Sequence, residues 1–362
     1  MRFAQECLKG LNRKRHCSLW SQRLTIRKNK RMNSQTKYIP GIDTLKAFGL
    51  WLMVLGHAHL VDDTLRTAIY TFHMPLFFVI SGYLFKYRDL KEQIAKSWKG
   101  IMVPYLLVNA ICLAISLIST IRNGELSLTL VWNKVLPICT GLGYGMGAYE
   151  PVCTPMWFFY VMFFLQILVN LVGRQTQHCL IFTLGSLALC ILMNYKGIDT
   201  LVPIDSLLMA VPFFYLGIWL KTILQKVNID NRIIKVTIPL ILLPFGLMIG
   251  MYNGRIDMDL FQFGNSVFLF YISAMITCSA LIFASLQIGG GKIVRLISVG
   301  APIIVGFNLL TISYIKVLVN HLFTGEWNNF IGLAVSIIVI SILILVTVFC
   351  RTFIPSILGY RQ

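Results

Sequence analysis

A chain of 362 residues that is 57% hydrophobic and only 13% charged, with a mean hydropathy of +0.74, has too little charge to cover a soluble fold of its size. Half of its formal net charge of +18 comes from residues 1–31, where ten Lys/Arg stand against one acid, Glu6. The rest of the excess lies in loops between apolar runs, a distribution that argues for membrane topology and against nucleic-acid binding, which needs a basic face interleaved with aromatics.

The apolar runs recur at about 20 residues, the length that crosses a bilayer core, so the expected fold class is all-α, a polytopic transmembrane helical bundle of about ten spans. Residues 1–39 read as a basic cytoplasmic tail, with an alternative start at Met32. They hold no long apolar stretch of the kind a secretory signal needs. Residues 40–355 form the membrane domain and 356–362 a short cytoplasmic tail. The spans are expected at 44–61, 68–86, 101–121, 155–173, 178–195, 204–221, 234–252, 264–287, 298–320 and 329–350. Ten spans place both termini on one side, and the Lys/Arg-richer set of loops, which includes Lys86, Arg88, Lys221 and Arg351, makes that side cytoplasmic. The stretch 122–154 is too long and too glycine-rich for a simple turn, with Gly141, Gly143, Gly145 and Gly147 alternating. It reads as an external loop that folds back towards the membrane.

In the first span, Lys46 and His57 stand eleven residues apart. Eleven steps make three helical turns plus about 20°, so both share one face at an axial separation of about 16 Å. Asp43 falls near that face, placed to pair with Lys46 at i, i+3. His59 points away. An ionisable group in hydrocarbon faces a cavity or a partner, and a histidine titrates near neutrality, as a general base requires. The plainer alternative for His57 is a hydrogen bond between helices. The second span opens Tyr70-Thr71-Phe72-His73-Met74-Pro75. Its short connection to the first places His73 at the depth of His57. For Ser81-Gly82 the plain reading is a small-residue packing patch.

The nine cysteines form no C-x-x-C pair, and no metal-binding cluster is evident. Cys139 and Cys153 share the long loop and would pair only in an oxidising compartment; two free thiols is the simpler reading.

Asp43 to His57 and Phe72 to Phe85 closely resemble the acyltransferase-3 family of integral membrane acyltransferases, in particular its fucose 4-O-acetylase-like branch. Lys46, ten intervening residues and His57 match its first-span pattern, with Lys where Arg is common. Phe72 to Tyr83 match its F-H-M-P-L-F-F-x-x-S-G-Y motif. Pro155 to Phe159, Pro212 to Gly217 and Gly300 to Asn308 echo it more weakly. The resemblance implies a bacterial inner-membrane O-acyltransferase that moves acetyl from acetyl-CoA, a co-substrate, to a hydroxyl of a cell-surface glycan or its lipid-linked precursor. It implies His57 as base, with Lys46 positioning the donor or holding the histidine's environment; His73 and Asp43 join the catalytic candidates from their placement, and direct transfer and an acyl-histidine intermediate both fit. Lys96 and Lys99 have the spacing of the family's basic pair for CoA phosphates, although topology alone also accounts for them. Glu150 and Trp157 are candidates for the sugar, and Asn308 stands near the place where some members carry a further histidine; His321 lies farther on. The expected partners are acyl-CoA, a glycan acceptor and membrane lipids. Two rivals are a transporter or flippase for a lipid-linked glycan, to which acetyl-CoA is irrelevant, and a non-catalytic membrane sensor, which His57→Ala leaves intact.

Overall fold

A computed structural model describes residues 39–58, 61–198, 200–226, 232–322 and 328–359. The basic N-terminal stretch with Met32, His59 and the His321 side chain lie outside this description. Among the described residues there is no strand, only two isolated β-bridges, Met146 with Tyr149 and Asp257 with Gln262. The helices are α1 (Pro40–His57), α2 (Asp63–Tyr70), α3 (His73–Leu84), α4 (Leu90–Ser97), α5 (Val103–Arg122), α6 (Leu128–Thr140), α7 (Trp157–Val172), α8 (Thr176–Lys196), α9 (Ile204–Lys226), α10 (Arg232–Asn253), α11 (Val267–Ser285), α12 (Lys292–Val299), α13 (Ala301–Leu322) and α14 (Asn329–Phe353). The end of the bundle where α1 begins is called proximal, and the end where it reaches His57 distal.

Among the described residues, nine helical stretches are long and apolar enough to cross a membrane, with α2–α3 counted as one and α4–α5 as another. The tenth expected span, α1, is not among them, because Asp43, Lys46 and His57 lower its hydropathy. It is nevertheless helical, and eleven of its 18 residues are buried. Burial explains the composition: a helix enclosed by protein tolerates ionisable groups that a lipid-facing one does not. Peripheral helices show the opposite pattern, with Leu184 of α8 64% exposed and Leu240 of α10 70% exposed. Apolar side chains directed outward from spans of this length are what lipid requires, and the chain is a multi-pass membrane protein.

Two glycines set a close contact between helices. A Cβ on Gly82 of α3 would overlap the Phe214 carbonyl of α9, and one on Gly217 of α9 would overlap the Val79 carbonyl of α3. The two motifs Phe72–Tyr83 and Pro212–Gly217 therefore interlock through their glycines, in the close backbone approach that small residues permit in membranes. Gly41 meets the Ser285 carbonyl at the proximal end in the same way. The Trp51 indole N–H donates to Ser336 Oγ at 3.0 Å, fixing α1 against α14.

The stretch 122–154 does fold back. Ser127 caps α6, Gly141 ends it in the left-handed region at φ 79°, and Leu142 and Gly143 are buried. Cys153 then reaches into the bundle, its thiol donating to the Gly306 carbonyl at 3.0 Å. Cys139 and Cys153 are both free. At the other end of the chain Ile357 and Leu358, in a 3-10 turn, join the hydrophobic core, so the packed domain continues past residue 355.

Candidate active site

The break between α2 and α3 builds the site. Pro75 has no N–H to bond back to Thr71 and its ring crowds that carbonyl; the helix stops at Tyr70 and restarts at His73. The kink lets the side chain of His73, which is 3% exposed, turn back so that Nδ1 lies 3.0 Å from the Ile69 carbonyl oxygen. A carbonyl only accepts, so Nδ1 carries the proton and Nε2 keeps the lone pair. Tyr70 touches both histidines, with ring centroids 6.3 Å from His57 and 4.8 Å from His73. The Arg255 guanidinium lies 5.8 Å from the Tyr70 ring centroid.

These residues wall one cavity of about 290 Å³. On α1 it is lined by Leu50, Met53 and His57, which share a helix face, and on α13 by Ala301, Val305 and Leu309, spaced one turn apart. At about 1.5 Å per residue each row covers about 10–12 Å along the bundle, and both rows run proximally from the level of the histidines. The proximal wall, with Leu50, Phe77, Phe158, Val305 and Ala301, is apolar. The distal wall carries Tyr70, Tyr144, Thr154, Arg255, Asp257 and Asp259.

The distal charges come from the turn between α10 and α11, which sequence reasoning passed over. Its alternation was a legible signal: Arg255, Asp257 and Asp259 at every second position, with Ile256 and Met258 between them 1% and 2% exposed in the core, as an extended segment requires. Asp257 accepts the N–H groups of Asp259 and Leu260 at 3.1 and 3.4 Å and holds the turn. Ser206 donates to the Met258 carbonyl at 2.9 Å, and Asn253 donates to Phe263 while accepting from the Ser266 N–H. Phe261 is the one described non-glycine residue at positive φ, 52°, a strained conformation kept only where its surroundings enforce it. Burial pushes the Asp259 carboxyl well above the usual carboxylate range, and the Asp257 and Asp205 charges push it the same way. Asp257 is raised as well, by burial.

Of the residues expected from sequence, His57, His73 and Trp157 line the cavity. Asp43 accepts from Ser298 Oγ at 2.7 Å and closes no ion pair with Lys46; the ion pairs among the described residues are Arg66–Asp63 and Arg88–Glu92. Lys46 is partly buried on α1, proximal to the cavity and not part of its lining. Lys96 ends α4, and Lys99 lies in the π-helical stretch Trp98–Met102 that joins α4 to α5. Both are exposed, because α4 turns Gln93 and Ser97 inward to hydrogen-bond Gln166. Glu150 is exposed on a separate groove with Asn133 and Lys134. Asn308 is fully buried, donates to the Val305 carbonyl at 2.6 Å and faces away from the cavity lining. Among the described residues no group of three His, Cys, Asp or Glu is placed to hold a metal ion.

A base beside a slot that is apolar at one end and polar at the other can join an apolar donor arm to a polar acceptor. The family model for the acyltransferase domain Acyl_transf_3 matches residues 39–347; it speaks for the family as a whole and does not single out a branch. No match is found among curated proteins or among solved structures.

Proposed function

Because the chain belongs to the acyltransferase-3 family, we propose that this membrane acyltransferase moves acetyl from acetyl-CoA to a hydroxyl of a cell-surface glycan or its lipid-linked precursor, with His57 as the general base. The observation that carries the reading is the single cavity in which His57 and His73 stand between an apolar proximal wall and a polar distal one. In this reading the protein lies in a bacterial inner membrane with its proximal end cytoplasmic, as the Lys/Arg-rich loops suggest. Lys46, Lys96 and Lys99 all sit towards that end, where their charges suit the CoA phosphates.

The pantetheine arm threads the apolar wall and brings the thioester to the histidines, and the glycan approaches from the distal side. His57 takes the acceptor hydroxyl proton as the oxygen attacks the thioester carbon. The tetrahedral oxyanion collapses, the C–S bond breaks, and the CoA thiolate leaves, taking the proton back from the His57 imidazolium. The Tyr70 hydroxyl, which makes no hydrogen bond within the described protein, is an O–H donor on the cavity wall suited to the oxyanion.

The test is transfer of radiolabelled acetyl from acetyl-CoA to envelope glycan, in membranes carrying wild type or His57→Ala at matched protein level. Incorporation by wild type and its loss in the variant is the expected result. Equal incorporation in both removes His57 from the chemistry, and none in wild type sinks the acetyl-transfer reading in favour of a carrier.

A further inference from the structure

The turn between α10 and α11 brings Arg255 and Asp259 to the cavity, and neither side chain makes a hydrogen bond or ion pair with the described protein. The Asp257 carboxylate is committed to two backbone N–H groups, whereas the Asp259 carboxylate accepts no hydrogen bond from the described protein. It packs over Gly143 and the Trp157 ring, where a Cβ at Gly143 would overlap it. Arg255 forms no ion pair among the described residues and leans towards Tyr70, which also contacts both histidines. A half-buried carboxyl held at the cavity without a hydrogen-bond partner, beside a solvent-exposed guanidinium, is an arrangement that a ligand rich in hydroxyls completes, since a polar group taken out of water without a partner pays its desolvation without return.

We infer that Arg255 and Asp259 form the acceptor subsite, reading a polyhydroxylated sugar through the hydroxyls next to the one acylated. This rests on the acyltransferase reading and deepens it. Asp259 accepts a hydrogen bond from a neighbouring hydroxyl, and Arg255 donates to a ring or glycosidic oxygen or to a carboxylate on an acidic sugar. The Trp157 and Tyr144 side chains on the same wall supply the flat apolar contact that a sugar ring takes. Holding the acceptor at two points places one hydroxyl, and not its neighbours, against His57; the subsite thus selects the position of acylation.

The experiment measures initial rates of labelled acetyl transfer in native membranes. Acetyl-CoA is the donor, and envelope polysaccharide stripped of its O-acetyl groups by mild base is the acceptor probe, each varied in turn. Asp259→Asn, which is isosteric, and Arg255→Gln, which tests the other side of the subsite, are each expected to raise the acceptor KM by about tenfold or more. The acetyl-CoA KM is expected to stay within about twofold of wild type, and Asp259→Glu to recover part of the loss. An unchanged acceptor KM in both variants, or an equal rise in both substrates' KM values, overturns the subsite while leaving the acyltransferase reading standing. Wild-type membranes that transfer nothing overturn both.

Discussion

The Nδ1 of His73 donates its proton to the carbonyl oxygen of Ile69 across 3.0 Å, bridging the kink between α2 and α3. That one bond settles the tautomer of a buried histidine and leaves the lone pair on its Nε2. It also separates two roles that deletion would confuse. In His73→Asn the amide nitrogen stands where Nδ1 was and keeps the bond to Ile69, but nothing replaces Nε2. The variant is expected to unfold within about 2 °C of wild type while its turnover falls by about a hundredfold, the scale of lost acid–base assistance. Unaltered turnover would make His73 a structural residue. Thermal unfolding in detergent and the acetyl-transfer assay together decide it.

The interlock of α3 with α9 predicts a stability effect remote from chemistry. Gly82→Ala and Gly217→Ala each drive a methyl group into a facing backbone carbonyl, which no side-chain rotation relieves. Each is expected to cost about 1–3 kcal/mol, the range for overpacking, and to lower the unfolding temperature. The pair together should cost less than the sum, since separating the helices once relieves both contacts. An alanine at either site with wild-type unfolding would show that the helices are not in this register.

At the proximal end, Lys96 and Lys99 are exposed and free of ion pairs among the described residues. Replacing both with alanine is expected to raise the KM for acetyl-CoA and leave the acceptor KM alone, with an effect that shrinks as salt is raised and screens the phosphates. Lys46→Met removes a charge from inside the bundle and is expected to raise the acetyl-CoA KM without loss of fold. If neither variant alters donor kinetics while loop inversion alters protein orientation, these lysines serve topology alone.

The Asp259 carboxyl predicts a pH effect of definite sign. Its folded-state pKa is raised by burial and then by the Asp257 and Asp205 charges, so the stability it contributes is fully present below the unfolded pKa of about 3.9. That stability is lost as pH climbs through the folded value. Asp257 shifts in the same direction. Asp259→Asn should therefore match wild type in acid and unfold at a higher temperature near neutrality, the gap widening with pH. A gap that is constant or narrows with pH would mean that the carboxyl is better solvated than the cavity allows.

Much of this protein follows from local properties of its chain. Span length, apolar composition and the i, i+3, i+4 rows are short-range quantities, and they were enough for ten spans, for the partly buried ionisable residues of α1 and for His57 and His73 lining one cavity across a short connection. The motifs at Phe72–Tyr83 and Pro212–Gly217 were visible as strings, but only the tertiary structure showed that their glycines face each other. It likewise moved Glu150 and Asn308 off the cavity lining, because a helix face or a loop end has no direction until its neighbours are placed. Asp259 and Arg255 lie about 200 residues beyond His57. Their alternation with Ile256 and Met258 was written in the chain, yet nothing local says which cavity an extended turn will wall. Asp257 shapes the turn locally, but the fold aimed it through Ser206 and Asn253, whose contacts to Met258, Phe263 and Ser266 exist only once α9, α10 and α11 have packed.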